Sequence, residues 1–331
     1  MAKAKRSAAA RREQQRATAQ QNKRSQSHGK ERTRRKSGKS PWLLVGGILV
    51  LVALVVGIFI YLSRQSTPVD TGLASPTVLK NVNQVNPAVL AAVGTGDVQN
   101  PLKLISGSLP ALKGPTGKPE FFYFGAEYCP YCAAERWPVV VALGRFGTFS
   151  QLYKTASASD DTAPNTPTFS FYHSSYTSQY IDFVAVETQG NQRDSSGNYP
   201  TLQTPTAEQQ QLVAKYGSSG GRPSFPFVDI ANQYSVTGAS YRPDALANMT
   251  VDDIAKGLSD KNSPVTRDIL GSANYLTAAI CNVTNQQPEN VCKSSTIQQV
   301  ELLLGRTTTI GNGGQVVSAG YSFEAVVRRP E

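Results

Sequence analysis

The stretch that most constrains the fold is Phe121-Phe-Tyr-Phe-Gly-Ala-Glu-Tyr-Cys-Pro-Tyr-Cys132. The aromatic run at 121–124 predicts a buried strand, and Gly125 ends it. The segment from Cys129 through Pro130 and Tyr131 to Cys132 then opens a helix, predicted over 133–146. A helix N-terminus presents unpaired N–H groups and a partial positive charge, which stabilise a thiolate at the first cysteine. Cys132 lies one turn on, near enough to close a disulfide or to resolve a mixed one. Pro130 suits the first turn, where a missing N–H costs nothing. Redox use, with Cys129 as nucleophile and Cys132 as resolving thiol, is the reading this junction favours.

Two other uses of the motif fit less well. A zinc site would need a second pair spaced by two to four residues, but Cys281 and Cys292 have ten between them. A purely structural Cys129–Cys132 bond would close a tiny loop and remove little chain entropy. No metal and no cofactor enter the reading.

The net charge of +10 over 331 residues is unevenly placed. Residues 1–40 hold fourteen Lys/Arg against two Glu, so the rest of the chain sums to −2. The basic segment has no apolar run and is expected to be a disordered tail. Residues 42–62 follow without a charge, about 30 Å of helix, which is one bilayer core. The basic flank places the N-terminus in the cytoplasm, where it can touch anionic lipid, and 64–331 outside. A cleaved signal peptide would have a shorter apolar region and a far briefer charged one, so an uncleaved signal anchor is favoured. Nothing beyond charge supports a nucleic-acid-binding arm.

The expected organisation is a basic tail over 1–40, a membrane anchor over 41–62, a linker over 63–85, one folded domain over 86–305 and an unassigned tail over 306–331. Within the domain, Asn86-Pro87 caps a short helix ending at Gly94, and 102–105 is a candidate strand. Pro138 is expected to kink the helix after Cys132. Residues 149–159 and 168–188 read as strands, and 190–205 as a polar loop. Thr206 and Gln209 form a capping-box pattern. Thr250 caps a short helix, Ser263-Pro264 starts a long one ending at Cys281, and Ser295 or Thr296 caps the last.

Beside the motif, Glu127 and Glu135 are candidates for proton transfer, although such residues are more often solvated. All four cysteines fall on the outer side, and spacing favours a second pair, Cys281–Cys292, as a structural disulfide. The alternative is a redox pair that relays electrons. Pro226, directly before an apolar run, is either a cis proline in a tight turn or a trans proline at a strand's first residue. His173 and Asp252-Asp253 are read as having no chemical role.

Residues 126–132, following an aromatic strand, resemble the active site of the thioredoxin superfamily, and the Pro-Tyr dipeptide is that of glutaredoxins. Phe225-Pro226 resembles the superfamily's cis-proline loop, which implies the cis form. The longer runs at 125–137, 225–230 and 274–281 resemble a membrane-anchored prokaryotic family, domain of unknown function 929. The resemblance covers about 85–304. It implies a thioredoxin-like α/β sandwich, a mixed sheet with helices on both faces. It also implies thiol–disulfide exchange with protein or peptide partners, which Phe225 and Pro226 would hold as an extended segment. Two departures stand out. Tyr123 occupies the place of thioredoxin's buried acid. Ninety-three residues separate Cys132 from Pro226, an insertion as in the DsbA-like branch but with strand-like rather than helical runs. The competing functions are a non-catalytic binding module with inert disulfides and an electron relay to a membrane redox partner.

Overall fold

The computed structural model describes residues 41–64, 71–105, 109–219 and 221–304. The expected tails, 1–40 and 306–331, lie outside the described residues. The chain divides into two units, Met1–Gln65 and Ser66–Glu331.

In the first unit a helix runs Pro41–Arg64, over the segment read as an anchor. Its described side chains span 47–58, and the large apolar ones among them are 48–64% exposed. Counted over described residues, no helix is long and apolar enough to cross a membrane.

The second unit holds ten described strands. They are β1 Gly72–Leu73, β2 Lys103–Leu104, β3 Glu120–Gly125, β4 Gly147–Ala156, β5 Pro167–Ser178, β6 Asp182–Glu187, β7 Ser218–Ser219, β8 Arg222–Pro223, β9 Phe227–Ile230 and β10 Tyr234–Thr237. A five-stranded sheet has the order β2-β10-β9-β3-β6. Strand β6 is parallel to β3, and the other pairings are antiparallel. A separate antiparallel sheet has the order β1-β4-β5, and β7 and β8 form a small hairpin.

The central strand explains its own composition. Phe121 and Tyr123 enter the larger apolar cluster with Trp137, Val140 and Leu276. Phe122 and Phe124 enter a smaller one with Val186, Val213 and Phe227. Both faces are buried, so the run is continuously apolar rather than alternating. The helix Ala207–Tyr216 covers the second face through Val213, and the helices Pro130–Gly144 and Pro264–Val283 contribute to the first. The fold class is mixed α/β, as expected.

Local signals placed most helices. Asn86 caps Pro87–Val93, with Gly94 at its end. The Thr206/Gln209 and Thr250/Asp253 capping boxes are both formed. The helix Pro130–Gly144 runs through Pro138 without a break. The long helix extends past Cys281 to Val283, and the last is capped at Ser294 rather than Ser295 or Thr296.

The linker expected over 63–85 is corrected from residue 72 onward. Strand β1 pairs with β4, and a helix runs Pro76–Asn83. Ser75 caps that helix by accepting the Val78 N–H at 3.2 Å, and Val78 and Val82 enter the core. Asn83 donates to the Phe149 carbonyl and accepts its N–H, both at 2.9 Å. Ser75-Pro76 is the same start signal as Asn86-Pro87. The polar residues around two core-facing valines masked it.

The insertion contains strands, as expected, but 168–188 is two elements rather than one. Strand β5 joins β4 in the three-stranded sheet, whereas β6 leaves to pair with β3. Ser178 closes the break by donating to the Phe146 carbonyl at 2.7 Å. Asp182 is held at the start of β6 by the Thr116 hydroxyl at 2.6 Å.

Candidate active site

Cys129 is the N-cap of the helix Pro130–Gly144, and the Cys132 N–H donates to its sulfur at 3.2 Å. Both cysteines are free thiols. Cys129 keeps 7% of its surface exposed, whereas Cys132 keeps none. Their acidities separate. A hydrogen bond from the Cys132 thiol lowers the Cys129 pKa, aided by the Cys132 and Tyr131 N–H groups and the Arg136 charge, while burial opposes. Burial pushes Cys132 well above the ordinary thiol range, and the bond it gives to Cys129 adds to this. One sulfur is thereby kept ionisable and the other protonated.

The Phe225–Pro226 bond is cis. Phe227 pairs with Phe124, so Pro226 faces Gly125, where the chain turns toward Cys129. The Phe225 ring stacks on Phe124 at 5.1 Å and meets Tyr128 edge-on at 6.4 Å. Tyr128 is also stacked on Tyr199, with centroids 4.5 Å apart. The loop at 190–205 thus reaches the motif, a contact that no local pattern in the chain predicts.

Arg136, one turn past Cys132, is fully buried. It donates from Nε and Nη2 to the Glu187 carboxylate at 2.8 and 2.7 Å, and from Nη2 to the Ala126 carbonyl at 2.9 Å. Its guanidinium carbon lies 5.7 Å from the Tyr123 ring centroid. Among the described residues, the Tyr123 hydroxyl and Arg136 Nη1 have no hydrogen-bond partner. At Gly125 a Cβ would lie 2.6 Å from that hydroxyl. Sequence reading missed this pair. The signal was a lone Arg within an apolar helix and a lone Glu ending an apolar strand. In place of a buried acid, a buried ion pair lies behind the motif.

The charged groups that act on the thiols are Arg136 and Glu187. Glu127 and Glu135, expected as proton carriers, hydrogen-bond to neither thiol. Burial raises Glu127, which a bond from Ser170 opposes, and with Ser170 it lines a cavity of about 220 Å³. Glu135 is fully buried, and its Oε2 accepts the Ser240 N–H at 2.7 Å. Burial raises its pKa from 4.5 to about 7. The folded state therefore holds a proton that the unfolded chain releases near 4.5, so stability is full below that pH. It is lost as pH rises toward 7, by up to about 1.4 kcal/mol per unit. Burial also raises Glu120 and Asp229 to about 7. Glu135→Gln should flatten the fall in urea-unfolding free energy between pH 5 and 8 by about one proton's worth, and an unchanged profile would rule out Glu135 as a contributor.

Cys281 and Cys292 are disulfide-bonded, as spacing favoured, and both are fully buried. That removes the accessible pair which the relay reading required. Replacing both by Ala should cost roughly 2–3 kcal/mol of stability, the loop-entropy value for a closure this short, and leave Cys129 alkylation rates unchanged. A matching loss of labelling would show that the bond shapes the site.

The fold and site define a mixed α/β protein with a cysteine pair where a buried central strand turns into a helix. The chain belongs to the family described as Domain of unknown function (DUF929), whose model matches residues 112–282, just over half its length. No curated protein and no solved structure matches it.

Proposed function

We propose that the chain is a membrane-anchored, extracytoplasmic thiol–disulfide oxidoreductase on a thioredoxin-like frame. The carrying observation is the asymmetry of the pair, with Cys129 at a helix start and lowered in pKa, and Cys132 buried and raised. A mixed sheet buried on both faces supports the frame. So does a cis proline facing the strand that leads to the cysteines. The uncharged run at 42–62, inside the helix Pro41–Arg64, supports the anchor. Its basic flank supports a cytoplasmic N-terminus that touches anionic lipid.

In the reduced protein the Cys129 thiolate attacks a substrate disulfide. A bond forms from Cys129 to one substrate sulfur, and the other leaves as thiolate. Cys132 passes its proton to that leaving thiolate and attacks Cys129. The Cys129–Cys132 bond closes, the second substrate sulfur leaves as thiolate and takes its proton from solvent, and two electrons have passed to the substrate. From the oxidised pair the same steps run in reverse. Pro226 and Phe225 present backbone beside Cys129 to an extended substrate segment.

The slight exposure of Cys129 favours a second reading, a non-catalytic binding module with an inert pair. Alkylation separates the two. A catalytic Cys129 labels with iodoacetamide below pH 7, where an ordinary thiol is mostly protonated. Reduced full-length chain in detergent should also exchange with a disulfide-linked fluorescent peptide. A wild-type rate no faster than that of Cys129→Ser would end the oxidoreductase reading.

A further inference from the structure

The residue that leads into Cys129 is packed by the insertion. Tyr128, directly before Cys129, has its ring between the Phe225 ring and Tyr199. Its carbonyl accepts the Ala158 N–H at 2.9 Å, from the loop between β4 and β5. Burial raises the Tyr128 hydroxyl to about 12, and the Cys129 charge adds to this, so the two groups share one environment.

Tyr199 does not stand alone. Its hydroxyl donates to Asp160 Oδ1 at 2.7 Å. Arg193 Nε donates to Asp160 Oδ2 at 2.7 Å, and its Nη1 to the Gly197 carbonyl at 2.8 Å. The Arg193 guanidinium carbon lies 4.1 Å from the Tyr199 ring centroid. Asn191 ties the base of the same loop to the Ala156 carbonyl at 2.7 Å. Tyr199 is therefore held between Tyr128 on one face and a clasp that joins two loops of the insertion. The ring is fixed by that stack and clasp at the surface, where the Arg193 and Asp160 side chains are 47% and 51% exposed.

We propose that this clasp, Asp160–Arg193–Tyr199, is the wall that sets how large a partner can reach Cys129. It admits an extended, unfolded segment carrying a cysteine or disulfide and turns away sulfur held in a folded surface. The inference rests on the oxidoreductase reading for its meaning, but its test does not need turnover. Cys129 keeps only 7% of its surface exposed, whereas Tyr131 beside it keeps 48%. Pro130 and Cys132 are buried with Cys129, so Tyr131 is the open position of the motif, and Tyr199 stacks on the residue that leads into Cys129.

The experiment compares two reagents on the same sulfur. Full-length chain in detergent, with Cys132→Ser so that one free thiol remains, is labelled with N-ethylmaleimide and with a maleimide on a polyethylene glycol of several kilodaltons. The ratio of the two rates cancels any change in thiolate fraction. Tyr199→Ala should raise the bulky-to-small ratio about threefold to tenfold, the range to which a lost aromatic stack converts. Tyr199→Phe, which keeps the ring and the Arg193 contact but loses the Asp160 bond, should give a ratio between those of wild type and Tyr199→Ala. If Tyr199→Ala labels at the rate of urea-unfolded chain, Arg193→Gln and Asp160→Asn decide, because both loosen the clasp without touching the Tyr128 ring. Each should raise the ratio in the same direction. An unchanged ratio, or equal rises in both rates, overturns the wall. A raised ratio in a chain that exchanges no disulfide would keep the wall and discard the chemistry.

Discussion

Arg136→Met should destabilise the second unit by about 3–5 kcal/mol. The guanidinium satisfies both oxygens of a fully buried Glu187 and the Ala126 carbonyl. Its removal leaves a buried carboxylate without its counter-charge. In a domain of this size each kcal/mol corresponds to about 2–4 °C of melting temperature, so the loss is large enough to read directly. Breaking a buried pair differs from deleting it. Arg136→Met with Glu187→Met together should recover most of the loss, because both desolvation costs vanish with both charges. Urea titration of the four proteins, wild type, two singles and the double, gives the coupling. Additive losses would mean that the pair is not a unit.

Cys132→Ser should accumulate a mixed disulfide with a substrate peptide, whereas Cys129→Ser should form none and exchange at the background rate. The difference follows from exposure and acidity. Cys129 is the sulfur with surface to offer and a lowered pKa, and Cys132 has neither. Without Cys132 no internal thiol can release the bound peptide, so the adduct persists until an external thiol cleaves it. Non-reducing electrophoresis with a labelled peptide reads the result. Adducts of equal yield on both variants would place the nucleophile elsewhere. Loss of the adduct below pH 7 would contradict a lowered Cys129 pKa.

The parts legible from sequence are those carried by neighbours along the chain. The aromatic strand, its Gly125 stop and the cysteine at a helix start need only residues 121–132. The caps at Asn86, Thr206 and Thr250 each need four. The same rule was available at Ser75-Pro76, but the helix there buries just Val78 and Val82, with Leu79 half-buried beside them. So weak a stripe among polar residues resembles a linker. The run at 168–188 has uniform strand propensity throughout. Only its pairing partners, β4 for one half and β3 for the other, divide it.

The candidate site divides in the same way. Sequence by itself determined the cysteine pair, its place at the end of a buried strand and the position of Cys129 at a helix start, because helix-end electrostatics are local. Only the tertiary structure decided what surrounds that sulfur. The parallel pairing of Gly125 with Glu187 brings a carboxylate to Arg136, and the insertion lays Tyr199 against Tyr128. Contacts between residues fifty to seventy positions apart leave no periodicity in the chain. They exist because burying both faces of β3 forces distant strands into register, and that free energy belongs to the folded whole.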